Sequence, residues 1–211
     1  MLGARVLDDI PIVAAVFAVP QFLPQILKLR ASGDTRGVSW SWAMLTSINN
    51  AAWLAYFILS GYWTALVPSV SATLLACLLA VMLCLRSSTK ARPAALVGAW
   101  AATLVVAPVL AGRTGLGALL TVAFALQVAP SIWTAYRSAC PAGVSRGTWT
   151  LILGELSCWT VFGLHKADPR LIALGFTGLV ASILMLARTR AAPELDTRRA
   201  SLPLSHRTSR R

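Results

Sequence analysis

Residues 21–39 read QFLPQILKLRASGDTRGVS, and residues 127–145 read QVAPSIWTAYRSACPAGVS. At one fixed offset Gln21 falls on Gln127, Pro24 on Pro130, Ser32 on Ser138, and Gly37-Val38-Ser39 on Gly143-Val144-Ser145, without a gap. The same offset carries Trp53 onto Trp159. Identities arise by chance in a chain rich in Ala and Leu, but Gln, Pro and Trp seldom coincide in this way. The chain therefore reads as an internal duplication.

Composition says what solvent the duplicated unit meets. Of the 211 residues 57% are hydrophobic and 12% charged, whereas a soluble domain gives about a quarter of its residues to Asp, Glu, Lys and Arg. Stretches of roughly 20 residues, enough to cross a hydrocarbon layer about 30 Å thick, fall at 9–29, 38–60, 63–85, 94–112, 115–137, 144–165 and 169–188. Backbone groups in lipid must pair within their own segment, so these are expected to be helices.

The net charge of +12 is the balance a nucleic-acid binder would show, but its placement follows the apolar stretches instead. Arg5, Arg113, Lys166 and Arg170 fall on one side, and the other fifteen basic residues fall in the loops after the first, third and fifth stretches and in the tail. By the positive-inside rule the N-terminus is outside and the C-terminus cytoplasmic, in a multi-pass protein of the cell (inner) membrane. Asp8 and Asp9, with two nearby prolines, interrupt what might pass for a signal peptide, so the first segment is expected to be retained.

A three-helix unit ends on the opposite side from its start, so a linker helix is needed to give two copies the same orientation. The expected architecture is all-α and integral to the membrane: a first three-helix repeat over 9–85, a linker helix over 94–112, a second repeat over 115–188, and a disordered basic tail over 189–211 held near anionic headgroups. Parallel repeats of this kind place a cavity at their interface near the bilayer midplane.

Phe22-Leu23-Pro24-Gln25-Ile26, followed by Lys28, Arg30 and Gly37-Val38-Ser39, resembles the PQ-loop motif of the SWEET and PQ-loop (MtN3-saliva-like) transporter superfamily, and the 3+1+3 layout is similar. The resemblance covers residues 10–188. It implies passive sugar transport by alternating access, with Pro24 and Pro130 as flexible points and Gln25 completing the first motif, where the second copy has Ser131. It also places Trp53 and Trp159 at pocket positions. Ser69 and Gly175 stand where the family carries pocket asparagines.

The residues support a cavity independently of the resemblance. Asn49, Trp53 and Tyr56 share one helical face, and Glu155, Trp159 and Phe162 repeat it in the second copy. Indole faces stack on a flat solute while polar neighbours orient it. Trp40, Trp42 and Trp63, near helix ends, read as lipid-interface anchors. Glu155 lies deep in a span, where an ionised carboxylate costs several kcal/mol unless paired or hydrated; it reads as a proton site, a counter-charge for a cationic solute, or a protonated structural carboxyl. Gln21 and Gln127 precede their prolines by one turn and either line the cavity or bond between helices.

Cys77, Cys84, Cys140 and Cys158 form neither a C-x-x-C pair nor a metal-ligand set and are expected to be buried apolar residues. No paired carboxylates, Ser-His-Asp set or metal cluster lies in the spans, so neither an enzyme nor a cofactor is expected. The leading expectation is a facilitative transporter of a small neutral solute, most of all a sugar. A proton-coupled amino-acid carrier and a non-transporting receptor or scaffold of the same fold are the alternatives. The expected partners are a small-molecule substrate and the lipid bilayer, without nucleic acid; homo-oligomer formation stays open.

Overall fold

The computed structural model describes residues 7–36, 38–86, 91–138 and 140–200, among which there is no strand. Arg5, Gly37, Lys90 and the tail from residue 201 onward lie outside the described residues.

The first membrane-length stretch, Ile10–Ser32, consists of α1 (Ile10–Ala18) and α2 (Leu23–Ser32) with a non-helical turn at 19–22. Pro24 has no N–H to offer Pro20 O, which accepts from Leu23 N–H instead (2.9 Å). The interruption therefore lies one turn before Pro24, at the carbonyl that this proline leaves without its usual donor. Pro24 itself occupies the first turn of α2, where no backbone donor is required.

Helices α3 (Trp40–Ser60) and α6 (Arg146–Lys166) are related by the same offset as the sequence repeat, end to end. Ser39 caps α3 by accepting from Trp42 N–H (3.2 Å), and Ser145 caps α6 by accepting from Thr148 N–H (3.3 Å). Both helices stop on a left-handed residue, Gly61 (φ 70°) and its counterpart Ala167 (φ 49°). A 3-10 turn (Trp63–Ala65) leads into α4 (Leu66–Arg86).

The helical stretch α5 (Ala91–Arg137) spans 47 residues, about 70 Å at 1.5 Å per residue, too long for one crossing. It is two arms, 91–110 and 113–137, divided at Ala111 and Gly112, whose φ of 55° and ψ of −149° suit glycine alone. The chain folds sharply there. A Cβ on Gly115 would stand 2.9 Å from Ala107 O, atoms that a straight helix would keep about 12 Å apart along its axis. The second arm runs helical through Pro130, whose carbonyl accepts from Thr134 Oγ1 (2.6 Å).

The last helix, α7 (Pro169–Ala200), continues beyond residue 188, so the first part of the segment expected to be a disordered tail is helical. Cys77 and Cys84 are exposed and Cys140 and Cys158 half-buried, contrary to the expectation of burial. The first two face outward from α4, where an apolar surrounding suits a thiol as well as a core does.

Four stretches, Ile10–Ser32, Trp63–Arg86, Pro93–Arg137 and Pro169–Arg190, are long and apolar enough to cross a membrane. Helices α3 and α6 are less apolar because their polar side chains turn inward: Thr46, Asn49, Thr148 and Glu155 are all buried, while Ile58, Leu59, Val161 and Leu164 face outward. Packing follows the duplication. Helix α1 packs on α6 as α5 packs on α3, α3 on α4 as α6 on α7, and α1 on α4 as α5 on α7.

Candidate functional site

Side chains from α3, α4, the second arm of α5, α6, α7 and the turn between α1 and α2 converge on a cavity of about 40 Å³, room for a few water molecules. Its walls use the same positions of the two copies: Gln21 and Gln127, Phe22 and Val128, Thr46 and Ile152, Asn50 and Leu156, Trp53 and Trp159. The turn at 19–22 brings Gln21 and Phe22 into it, an irregular backbone placed where it lines a cavity.

The residue types differ between the walls. On the side of α3, α4 and the second arm of α5 stand Thr46, Asn50, Ser69 and Gln127, all uncharged. On the side of α6, α7 and the α1–α2 turn stand Gln21, Glu155, Trp159 and Leu174. Glu155 Oε1 accepts from Trp159 Nε1 (3.1 Å), and Gln21 hydrogen-bonds the same carboxyl. No Lys, Arg or His is present among the described lining residues.

Of the expected site residues, Trp53, Trp159, Glu155, Ser69, Gln21 and Gln127 line the cavity. Asn49 does not: its Nδ2 donates to Ala123 O (2.9 Å) and Gln127 Oε1 (3.1 Å), and its Oδ1 accepts from Trp100 Nε1 (2.8 Å). These bonds tie α3 to both arms of α5, and the neighbouring Asn50 takes the cavity position. Gly175 lies instead between α7 and α6, where a Cβ would come within 2.7 Å of Thr160 N. Close helix contact, not solute, requires glycine there.

Aromatic pairs stand at both ends of the cavity. Trp42 and Trp149 stack at 5.7 Å and 27° toward the starts of α3 and α6, so Trp42 is 3% exposed and is not the interface anchor expected. Toward the opposite ends, Phe57 stacks on Trp159 at 5.2 Å and 14° and on Trp53 at 5.5 Å.

Beyond the Trp42–Trp149 layer, Gln25 joins the copies. Its Nε2 donates to Gly143 O (2.9 Å) and its Oε1 accepts from Ser145 N–H (2.8 Å). Lys28 Nζ donates to Val144 O (2.7 Å), and Gly143 N–H to Arg36 O (2.9 Å). The first copy's motif thus holds the backbone of the second copy's Gly143-Val144-Ser145. Pro24 touches the same segment, lying 3.1 Å from where a Cβ on Gly147 would be.

Beyond the Phe57–Trp159 layer the closure is made by side chains. Tyr56 Oη donates to Asp168 Oδ2 (2.6 Å) and accepts from Arg170 Nη1 (3.2 Å). Asp8 pairs with Lys166 and His165 nearby. Lys166, through its hydrogen bond, and then His165 hold the Asp8 carboxyl below the ordinary aspartate range. Phe162 meets Tyr62 edge-on at 5.6 Å and carries Lys166 over its ring. Tyr56 and Phe162 therefore belong to this closure.

The sequence reading passed over Trp42, Trp149, Thr46, Asn50 and Phe57 in the cavity, and Asp168 and Arg170 at its mouth. For the α3 set the signal was present, since 42, 46, 50, 53 and 57 share one helical face. Comparison of the chain with protein-family models and with curated proteins finds no match.

Proposed function

We propose that this chain is a facilitative membrane carrier of a small neutral polar solute, most of all a sugar, working by alternating access between two three-helix repeats joined by a linker helix. The supporting observation is a cavity whose walls come from equivalent positions of two copies and whose two ends are each closed by contacts between those copies. A cavity of about 40 Å³ is far below the roughly 300 Å³ at which ligand pockets begin. Solute must enter by one closure opening, and a carrier rather than a channel follows if the two open in turn. The sequence repeat, the motif at Pro24-Gln25 and the tryptophans at the expected pocket positions support membership of the SWEET and PQ-loop superfamily. The basic loops put the Gln25 closure on the cytoplasmic side.

Glu155 favours a second reading, a proton-coupled amino-acid carrier, because a buried carboxyl with no basic neighbour in the cavity is suited to take up a proton. A panel of sugars and amino acids offered to proteoliposomes with and without an imposed pH gradient separates the two. Trp53→Ala and Trp159→Ala are expected to cut flux about tenfold by removing stacking surface. Flux unchanged in both variants defeats the cavity as the transport site, and acceleration by the gradient selects the second reading.

A further inference from the structure

The two halves of the cavity offer a solute different chemistry. On the α3, α4 and α5 side, Ser69 is 3% exposed and its hydroxyl bonds to no described residue. Gln127 accepts from Asn49 through Oε1, which leaves its Nε2 unpartnered among the described residues. Asn50 Nδ2 donates to Thr46 O, leaving Oδ1 open. These are a hydroxyl, an amide donor and an amide acceptor, the set that receives hydroxyl groups.

On the α6 side the polar centre is the Glu155 carboxyl, fixed by the Trp159 indole N–H and by Gln21. The other titratable group beside it is the Cys158 thiol, and the helices packed against α6 (α1, α2 with Lys28 and Arg30, and α7) bring no cationic side chain to the cavity lining. The indole of Trp159 completes this side and that of Trp53 adds to it from α3, and aromatic faces with a carboxylate form the surroundings an ammonium group selects.

We infer that the solute is a small hydroxylated amine, its ammonium group against Glu155 and the aromatic rings and its hydroxyl against Ser69, Gln127 and Asn50. This rests on the carrier reading but replaces its neutral solute with a cationic one that bears an amine. Two sizes share this chemistry, an amino alcohol such as ethanolamine and an amino sugar such as glucosamine. The small cavity favours the amino alcohol.

The test is counterflow in proteoliposomes of the full chain, using ethanolamine, glucosamine, glucose, glycerol and propylamine, with protein-free vesicles as blanks. Ethanolamine is expected to exceed both glycerol, which lacks the charge, and propylamine, which lacks the hydroxyl, by about tenfold, equivalent to about 1.4 kcal/mol. Glu155→Gln should bring the amine-to-neutral ratio near unity whatever the absolute rate, Glu155→Asp should keep it, and Ser69→Ala should narrow the gap between ethanolamine and propylamine. Preference for glucosamine over glucose without an ethanolamine response selects the amino sugar. Glucose or glycerol flux with no amine preference, or a ratio unmoved in Glu155→Gln, overturns the inference and leaves the carrier reading standing. No flux of any of the five solutes by protein that retains its thermal unfolding transition overturns both.

Discussion

The two closures of the cavity lie at opposite ends of α3 and α6 and are built from different chemistry. At the Gln25 end, one amide side chain forms a pair of bonds with the backbone on either side of Val144, much as a neighbouring strand would. At the Asp168 end, contacts run between side chains: a tyrosine, two aspartates, an arginine, a lysine and a histidine. A backbone clamp, here the Gln25 amide with Lys28 Nζ on Val144 O and Gly143 N–H on Arg36 O beside it, joins the copies without an ion pair and responds little to pH and salt. An ionic cluster spreads its energy over several residues and responds to both. On the carrier reading proposed above, the two closures have a structural reason to open under different conditions.

The largest effect is expected from Gln25→Ala. It leaves Gly143 O and Ser145 N–H, both buried by the clamp, without partners, at a cost of about 1–3 kcal/mol for each unsatisfied group. Amide exchange at Ser145 should accelerate by at least about tenfold, since each 1.4 kcal/mol is a factor of ten. Exchange at Ala167 and Asp168 should not change. Equal acceleration at both ends would show that the closures are not separate devices. Ser131, the counterpart of Gln25, is buried but has too short a side chain to repeat the clamp, so Ser131→Ala is expected to leave exchange at Ser145 unaltered.

Tyr56→Phe should come next. It removes the donor to Asp168, which is 6% exposed, and the acceptor for Arg170. The remaining Arg170 contact at 3.9 Å and the Arg170 N–H bond to Asp168 Oδ1 at 3.0 Å limit the loss to about 1–2 kcal/mol. Thermal unfolding in detergent should fall accordingly, with Ser145 exchange unaffected. A double-mutant cycle between Tyr56→Phe and Gln25→Ala should be additive, because the sites share no partner.

How much of this asymmetry the sequence discloses depends on how local its cause is. The boundaries of α3 and α6 are readable because Ser39 and Ser145 cap them and the repeat fixes both at once. Gln21, Trp53, Glu155 and their counterparts are readable as cavity residues because polar and aromatic types stand deep in apolar stretches. Asn49 and Asn50 differ by one position, about 100° around the helix. Only the tertiary partners Trp100 and Gln127 decide which amide is consumed in packing. Asp168 and Arg170 look like loop charges in one dimension, and their value comes from Tyr56, distant in sequence and brought close by the packing of the two copies.

Acid should separate the closures most gently. Asp8 is ionised at a lower pH in the folded protein than its ordinary value of 3.8, chiefly because Lys166 hydrogen-bonds it and also because His165 does. A carboxylate with a depressed folded value adds stability that is present above the ordinary value and disappears as pH falls through the depressed one. The Asp168 end is therefore expected to loosen on acidification below about pH 4, and Asp8→Asn to remove that dependence. Asp34 is depressed likewise, first by its side-chain bond to Arg36, but that pair lies within one loop and does not join the copies. Exchange at Ser145 should accordingly stay flat over the same pH range once corrected for intrinsic rates. If it rises in step with the Asp168 end, the loop carrying Asp34 and Arg36 takes part in the clamp through Arg36 O, and the Gln25 closure is not as indifferent to pH as its backbone chemistry implies.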